Sequence, residues 1–317
     1  MAQKYGTDPT LTSLEELRSR FTFRDFPHFI ETWIWKNQLL REYGDFTFFS
    51  EATARDLATQ NIRYAEVHFA PSGFAEYGLE VSRLAEAIRA GLAKVPEIEI
   101  RLIAALISNS ILARAAFTMA EVNEVHAAGI IGMGIGGPEQ GYPPEPFVAL
   151  YEEVRRLGFH TTAHASEAAG TESIWGALRS LKLERIGHGT RAFEDPLLLD
   201  YLNEARTPLE VCPLSYVCTA VVSSLEAHPI RRYYEMGLLV TVNTDDPMMF
   251  NNSLAQEYRL LVERLGFSPD VVRNLILNGV RASWLPDERK GAMVADFQTG
   301  SVWLGDVHPI LRSSASH

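Results

Sequence analysis

Short runs of β-branched and other apolar residues recur along the chain, and between them lie longer stretches in which apolar positions return every three or four residues. The first pattern fits strands and the second amphipathic helices, so their alternation predicts βαβ units on a parallel sheet. Strands are expected at 62–71, 98–107, 130–137, 160–167, 184–190, 208–215 and 238–247. Helices are expected between them at 81–95, 115–128, 144–157, 171–181, 196–205 and 230–236, then at 253–265 and 268–285. Asp195-Pro196 and Ser268-Pro269 each put a capping side chain before a proline at the first helical position, and Pro143-Pro144 opens its helix similarly. The stretch 14–60 reads as mostly helical, with an aromatic group at Phe21, Phe23, Phe26, Phe29, Trp33 and Trp35. From Asp287 onward the chain reads as irregular.

No fixed-period repeat and no low-complexity linker divides the 317 residues, so residues 1–317 are expected to form one α/β domain. Apolar residues make up 46% and charged residues 22%, which excludes a disordered or collagen-like chain. No run approaches the roughly 18–20 apolar residues of a membrane-spanning helix, and no secretory signal is visible at the front. A cytoplasmic location is expected, and two cysteines, Cys212 and Cys218, offer no disulfide framework. The net charge of −11, with no visible basic patch, argues against a nucleic-acid partner and for a small molecule.

In a closed parallel barrel the chemistry sits at the C-terminal ends of the strands, where the βα loops form the rim. Unusual polar residues gather there in this sequence. The strand 160–167 ends in His164 and Glu167, the next ends in His188, and the last ends in Asp245 and Asp246. Singly, such a histidine could donate to a backbone carbonyl and the Asp-Asp-Pro string could cap a helix. Together, at the exits of apolar runs where an unpaired charge is costly, they form a ligand set suited to zinc, with a water made nucleophilic near neutral pH. A metal-assisted hydrolase is the leading class.

The runs His164-Ala-Ser-Glu167-Ala-Ala-Gly170, Arg185-Ile-Gly-His188-Gly189, Leu209-Glu-Val-Cys-Pro213 and Asn243-Thr-Asp245-Asp246-Pro247 closely resemble, in order and spacing, the adenosine deaminase family of the amidohydrolase superfamily. The similarity extends over nearly the whole chain. It implies a TIM (β/α)8 barrel that deaminates a 6-aminopurine nucleoside by adding hydroxide at C6 and releasing ammonia. By the resemblance, His164 and Asp245 would be zinc ligands, Glu167 the general acid at purine N1, and His188 the group that orients and deprotonates the attacking water. Asp246 would hold N7, and Gly137 would offer its backbone N–H to N3.

The sequence departs from the family at three places. Ser166 replaces a usual glycine, and Gly134-Ile-Gly-Gly137-Pro-Glu139 replaces a usual Asp-Leu-Ala-Gly-Asp-Glu. The segment from Thr32 to Lys36 is more aromatic than plain adenosine would require, which leaves 6-aminodeoxyfutalosine or an N6-substituted adenine as alternative substrates. The third departure is the largest. The family opens on a strand bearing His-x-His-Leu-(Asp/Glu)-Gly, and none of the nine histidines here stands in such a motif.

Seven strands where a barrel needs eight point the same way, so the barrel is expected to lack its first βα unit, with two placed zinc ligands where catalytic sites generally supply three. A start assigned too late, a degenerate deaminase without metal, and a strand supplied by a partner are the competing explanations. A purine-binding protein that has lost its metal and its activity is the rival from another class. Nucleic-acid deamination is disfavoured, because the His-x-Glu and Pro-Cys-x-x-Cys signature of that other zinc fold is absent. The oligomeric state is left open.

Overall fold

The computed structural model describes residues 2–6, 8, 10–109 and 112–299. Its centre is a parallel sheet of seven strands: β1 (Tyr64–Phe69), β2 (Glu99–Ile107), β3 (Ile130–Gly136), β4 (His160–Ala165), β5 (Arg185–His188), β6 (Leu209–Val211) and β7 (Val240–Val242). They neighbour one another in chain order, and every adjacent pair is parallel. Each strand lies within a stretch expected from the sequence. Among the described residues β7 does not pair with β1, so the curl is a barrel one strand short of closure.

The connecting helices cover the outside of the curl because each has one apolar stripe. On Val81–Leu92, for example, Val81, Leu84, Ala85 and Ile88 recur at helical spacing and are buried. They join a continuous core with Leu102, Ile130, Val154 and Ile186 between sheet and helix layer. Caps stand where the sequence places them. Asp195 accepts from the N–H groups of Leu197 and Leu198, and Ser268 accepts from Val271, each before a proline. The helix expected at Pro143-Pro144 begins instead with a 3-10 turn, Glu145–Phe147, without a side-chain cap.

The expected strand 208–215 is a strand only over Leu209–Val211 and turns into the helix Pro213–Cys218, and the tail departs from its expectation as well. The stretch from Asp287 is not irregular but forms a helix, Asp287–Thr299. None of its residues is buried, so it carries no apolar stripe to announce it; polar contacts tether it, Arg289 pairing with Glu99 at 2.6 Å and Arg273 donating to the Gln298 carbonyl at 3.1 Å. The remainder of 287–317 lies outside the described residues. No helix among the described residues is long and apolar enough to cross a membrane.

Inside the curl, polar and aromatic groups fill the lumen. β3 contributes Gly132, Gly134 and Gly136, and a Cβ on each would stand 2.6 Å from the Trp284 ring, 3.2 Å from His68 and 3.3 Å from His164 respectively. Three rings therefore occupy the volume that β3 leaves empty. At the lower end Arg185 reaches across to Glu66 at 2.5 Å and to Glu210 at 3.0 Å, with its guanidinium 3.4 Å over the Trp284 ring. His160 stacks on the other side of this layer, its ring 4.8 Å from Trp284. His164, two turns of the alternation further along β4, belongs to the rim.

Candidate active site

The six residues singled out by sequence all lie at the strand exits along one rim. His164 is on β4 and its ring lies 4.4 Å, edge to face, from that of His188 at the end of β5. Strand alternation alone would send His188 to the outer face. Arg185 and Gly187 face the lumen, where they meet Glu66 and His164, whereas Ile186 packs in the outer core. His188 turns back toward His164 because its φ is +68°, in the left-handed region. Ser166 at φ +60° and Asp245 at φ +57° do the same at the ends of β4 and β7. Each such backbone costs about 1–3 kcal/mol in a residue other than glycine, and strain of this kind gathers at functional sites.

Glu167 follows Ser166 and is almost fully buried, with Oε2 placed 3.3 Å from His188 Nε2. Neither Glu167 Oε1 nor His188 Nε2 has a hydrogen-bond partner. On the other side of the imidazole, Nδ1 lies 3.1 Å from the Tyr216 hydroxyl. Asp245 accepts from Ser215 Oγ at 2.7 Å, and Asp246 pairs with Lys36 at 3.2 Å. Gly137, at φ +98°, lines the same recess as Ser108, Glu139 and His164.

Burial and neighbouring charge set the protonation states apart. Burial pushes the Glu167 carboxyl well above the usual carboxylate range, and the charges of Asp245, Glu139 and Asp246 push the same way. Burial holds His188 well below the ordinary imidazole value, reinforced by His164 and His68. Asp245 is raised by burial and by Asp246, and His164 is lowered by burial. The two shifts thus favour a protonated carboxylic acid beside a neutral imidazole, two groups poised to exchange protons with a bound molecule in opposite senses.

Two groups of donors stand close enough to share a metal ion. His164, Glu167 and His188 form one, and His188, Cys212 and Asp245 the other, each with its ligand atoms within 4.8 Å. His188 belongs to both, whereas His164 and Asp245 belong to one each. Imidazole, thiolate and carboxylate suit zinc, and a buried imidazole nitrogen without a partner is what an ion or its ligand would satisfy. The residues present therefore fit a metal, although the two expected ligands are joined only through His188.

Several site residues carried no sequence signal of their own. Tyr216 and Ser215 belong to the short helix Pro213–Cys218, where an apolar reading of the run hides them. Lys36 reaches Asp246 across 210 positions of chain from the helix Phe26–Asn37. That helix docks through Phe29, which packs with Met249 and Phe250 just beyond Asp246. The aromatic segment thus serves as packing and, by the same contacts, hangs beside the rim. Cys212, which offers no disulfide framework with Cys218, stands in a donor group with His188 and Asp245.

Comparison with known proteins gives a consistent picture. The family model described as adenosine deaminase matches residues 1–299. An aminodeoxyfutalosine deaminase of Streptomyces coelicolor is 34% identical over 315 residues, covering 96% of this chain and 80% of that protein. Among solved structures, an adenine deaminase from Arthrobacter aurescens superposes with a TM-score of 0.89 at 30% identity, covering 96% of this chain and 92% of the other. An amidohydrolase of Burkhoderia ambifaria, solved with bound zinc, gives a TM-score of 0.78 at 26% identity, over 82% of this chain and 73% of its own.

Proposed function

This chain belongs to the adenosine deaminase family, and from that premise we propose that it hydrolytically deaminates a 6-aminopurine, with Glu167 as acid and His188 as base. The observation that carries this reading is the buried pair itself: a carboxyl raised by burial, 3.3 Å from an imidazole lowered by burial, with Glu167 Oε1 and His188 Nε2 lacking a hydrogen-bond partner. A structural ion pair would have shifted these groups in the opposite directions.

Zinc, held by His164 and Asp245 with His188 beside them, would supply the Lewis acidity that makes water nucleophilic near neutral pH. The chain's own residues do the rest. Gly137 and Asp246 hold the edge of the base. Water adds at C6 while its proton passes to the neutral His188, and Glu167 delivers its proton to N1 so that no charge accumulates on the ring. The C6–N6 bond then breaks as His188 returns its proton to N6, which leaves as ammonia, while the proton on the new oxygen passes back to the acid–base pair and C6=O forms. Ser215 fixes the Asp245 carboxylate by donating to one of its oxygens. His188 Nε2 can take a proton only while Nδ1 carries the other hydrogen, and the Tyr216 oxygen is placed to accept it.

A second reading concerns the substrate. The 34% identity to an aminodeoxyfutalosine deaminase over 96% of the chain, together with the half-buried Trp33 beside Lys36, the partner of Asp246, favours a 6-aminopurine nucleoside with an aromatic 5′ extension. A panel of adenosine, adenine and aminodeoxyfutalosine, assayed with zinc for ammonia release, separates the readings. The highest kcat/KM on aminodeoxyfutalosine supports the extended substrate, and the highest on adenosine supports the simple nucleoside. Binding of these compounds without ammonia from any of them would leave a purine-binding protein and overturn the deaminase.

A further inference from the structure

The rim holds one carboxylate that the chemistry above does not use. Glu139 stands two residues beyond Gly137, in the loop after β3, and its oxygens accept three consecutive backbone N–H groups: those of Glu167 at 3.3 Å, Ala168 at 3.0 Å and Ala169 at 2.8 Å. These amides form the bend between β4 and the helix Thr171–Gly176, entered through the left-handed Ser166. Successive N–H groups converging on one point make an anion-binding concavity, and here a side chain from the neighbouring loop fills it.

The local sequence offers no substitute. Ala168, Ala169 and Gly170 have no side chain that could satisfy these amides. The adjoining Gln140 donates from Nε2 to the Ala168 carbonyl at 3.0 Å, gripping the same bend by its other polar group. Glu139's own loop is tied down in turn, since Ser108 Oγ donates to the Pro138 carbonyl at 2.5 Å. A chain of contacts therefore runs from the end of β2, through the β3 loop, to the backbone nitrogen of Glu167 itself.

We propose that Glu139 is a positioning residue whose carboxylate clamps the 167–169 amides and so aims the Glu167 side chain at the ring nitrogen of the bound purine. The inference rests on the reading of Glu167 given above. Its consequence is that Glu139 acts through Glu167, so removing both costs no more than removing Glu167.

Inosine, the product of adenosine deamination, is not turned over and serves as the probe. Its affinity is measured by calorimetry for the unaltered protein, E139A, E139Q, E167Q and the E139A/E167Q double variant, with hydrogen exchange of the 167–169 amides followed in parallel. E139A is expected to weaken inosine about 10- to 100-fold, the loss of hydrogen bonds to a charged group. E139Q keeps one carbonyl oxygen in the concavity and is expected to fall between, and the double variant to bind no more weakly than E167Q alone. The three amides are expected to exchange faster in E139A while the rest of the barrel is unchanged.

Equal affinity for E139A and the unaltered protein, or losses that add in the double variant, would overturn the proposal. If E139A fails to fold, E139Q carries the same comparisons. Should the unaltered protein bind no inosine, the reading of the pocket falls, while the clamp is still judged by exchange: unaltered protection at 167–169 in the variant would refute it.

Discussion

At the scale of single residues, burial decides what each titratable group does. Glu167 must be protonated to act as acid, so the rate is expected to fall as pH rises through its raised value; His188 must be neutral, so the rate is expected to fall only as pH drops through its lowered value. A pH–rate profile whose basic limb lies well above the ordinary carboxylate value of about 4.3 and whose acid limb lies well below the ordinary imidazole value of about 6.5 checks this, and a steep acid limb at about 6.5 would contradict it. Glu257 shows the same effect on stability. It is buried, accepts from Asn252 and from the Leu214 N–H, and burial pushes it up to about 7 from about 4.5. Between those values the native state holds a proton that the unfolded chain has released, so stability is lost as pH rises through that window, by about 3 kcal/mol at most. The stability of E257Q relative to the unaltered protein, read from urea unfolding, should therefore rise between pH 4.5 and pH 8 by up to about 3 kcal/mol, and an unchanged difference across that range would contradict the buried carboxyl.

At the scale of elements, the strands and the polar residues at their ends were legible for one physical reason. Parallel strands covered on both faces read as apolar runs, so His164, Glu167, His188 and Asp245 stand out as polar exits. What could not be read is what crosses between elements. Glu139 meets Glu167 from another loop, Lys36 meets Asp246 from another end of the chain, and the helix Asp287–Thr299 has no apolar stripe to betray it. The glycines of β3 were visible as a departure from the family string, but their purpose appears only when the rings of Trp284, His68 and His164 stand over them. Gly132→Ala would bring a Cβ to 2.6 Å of the Trp284 ring, against 3.3 Å from His164 for Gly136→Ala. The first is expected to destabilise by about 1–3 kcal/mol in urea unfolding, as overpacking does, and the second by less, because His164 need move only a few tenths of an ångström. Equal midpoints for the two variants would contradict this packing.

At the scale of the whole molecule, the lower lumen is held by charge. Arg185 links β5 to Glu66 on β1 and Glu210 on β6, and it also donates to the Ala282 carbonyl at 3.1 Å. It thus ties opposite walls of a curl whose β1 and β7 edges do not pair among the described residues. Replacing it by methionine would leave the buried Glu66 carboxylate and the half-buried Glu210 carboxylate without their shared cation. R185M is expected to lose about 3–5 kcal/mol in urea unfolding, and a loss below 1 kcal/mol would show that the walls are held by the outer core alone. Above this layer the rim converges on one acid–base pair, and the most direct test of its role is the kcat/KM for ammonia release by the zinc-loaded protein and its E167Q variant, on the best substrate of the panel. A fall of about 10²- to 10⁴-fold in E167Q, with folding unchanged, is the expected result. Ammonia released equally fast by both would contradict the assignment of Glu167 as the acid and, with it, the deaminase mechanism proposed for this site.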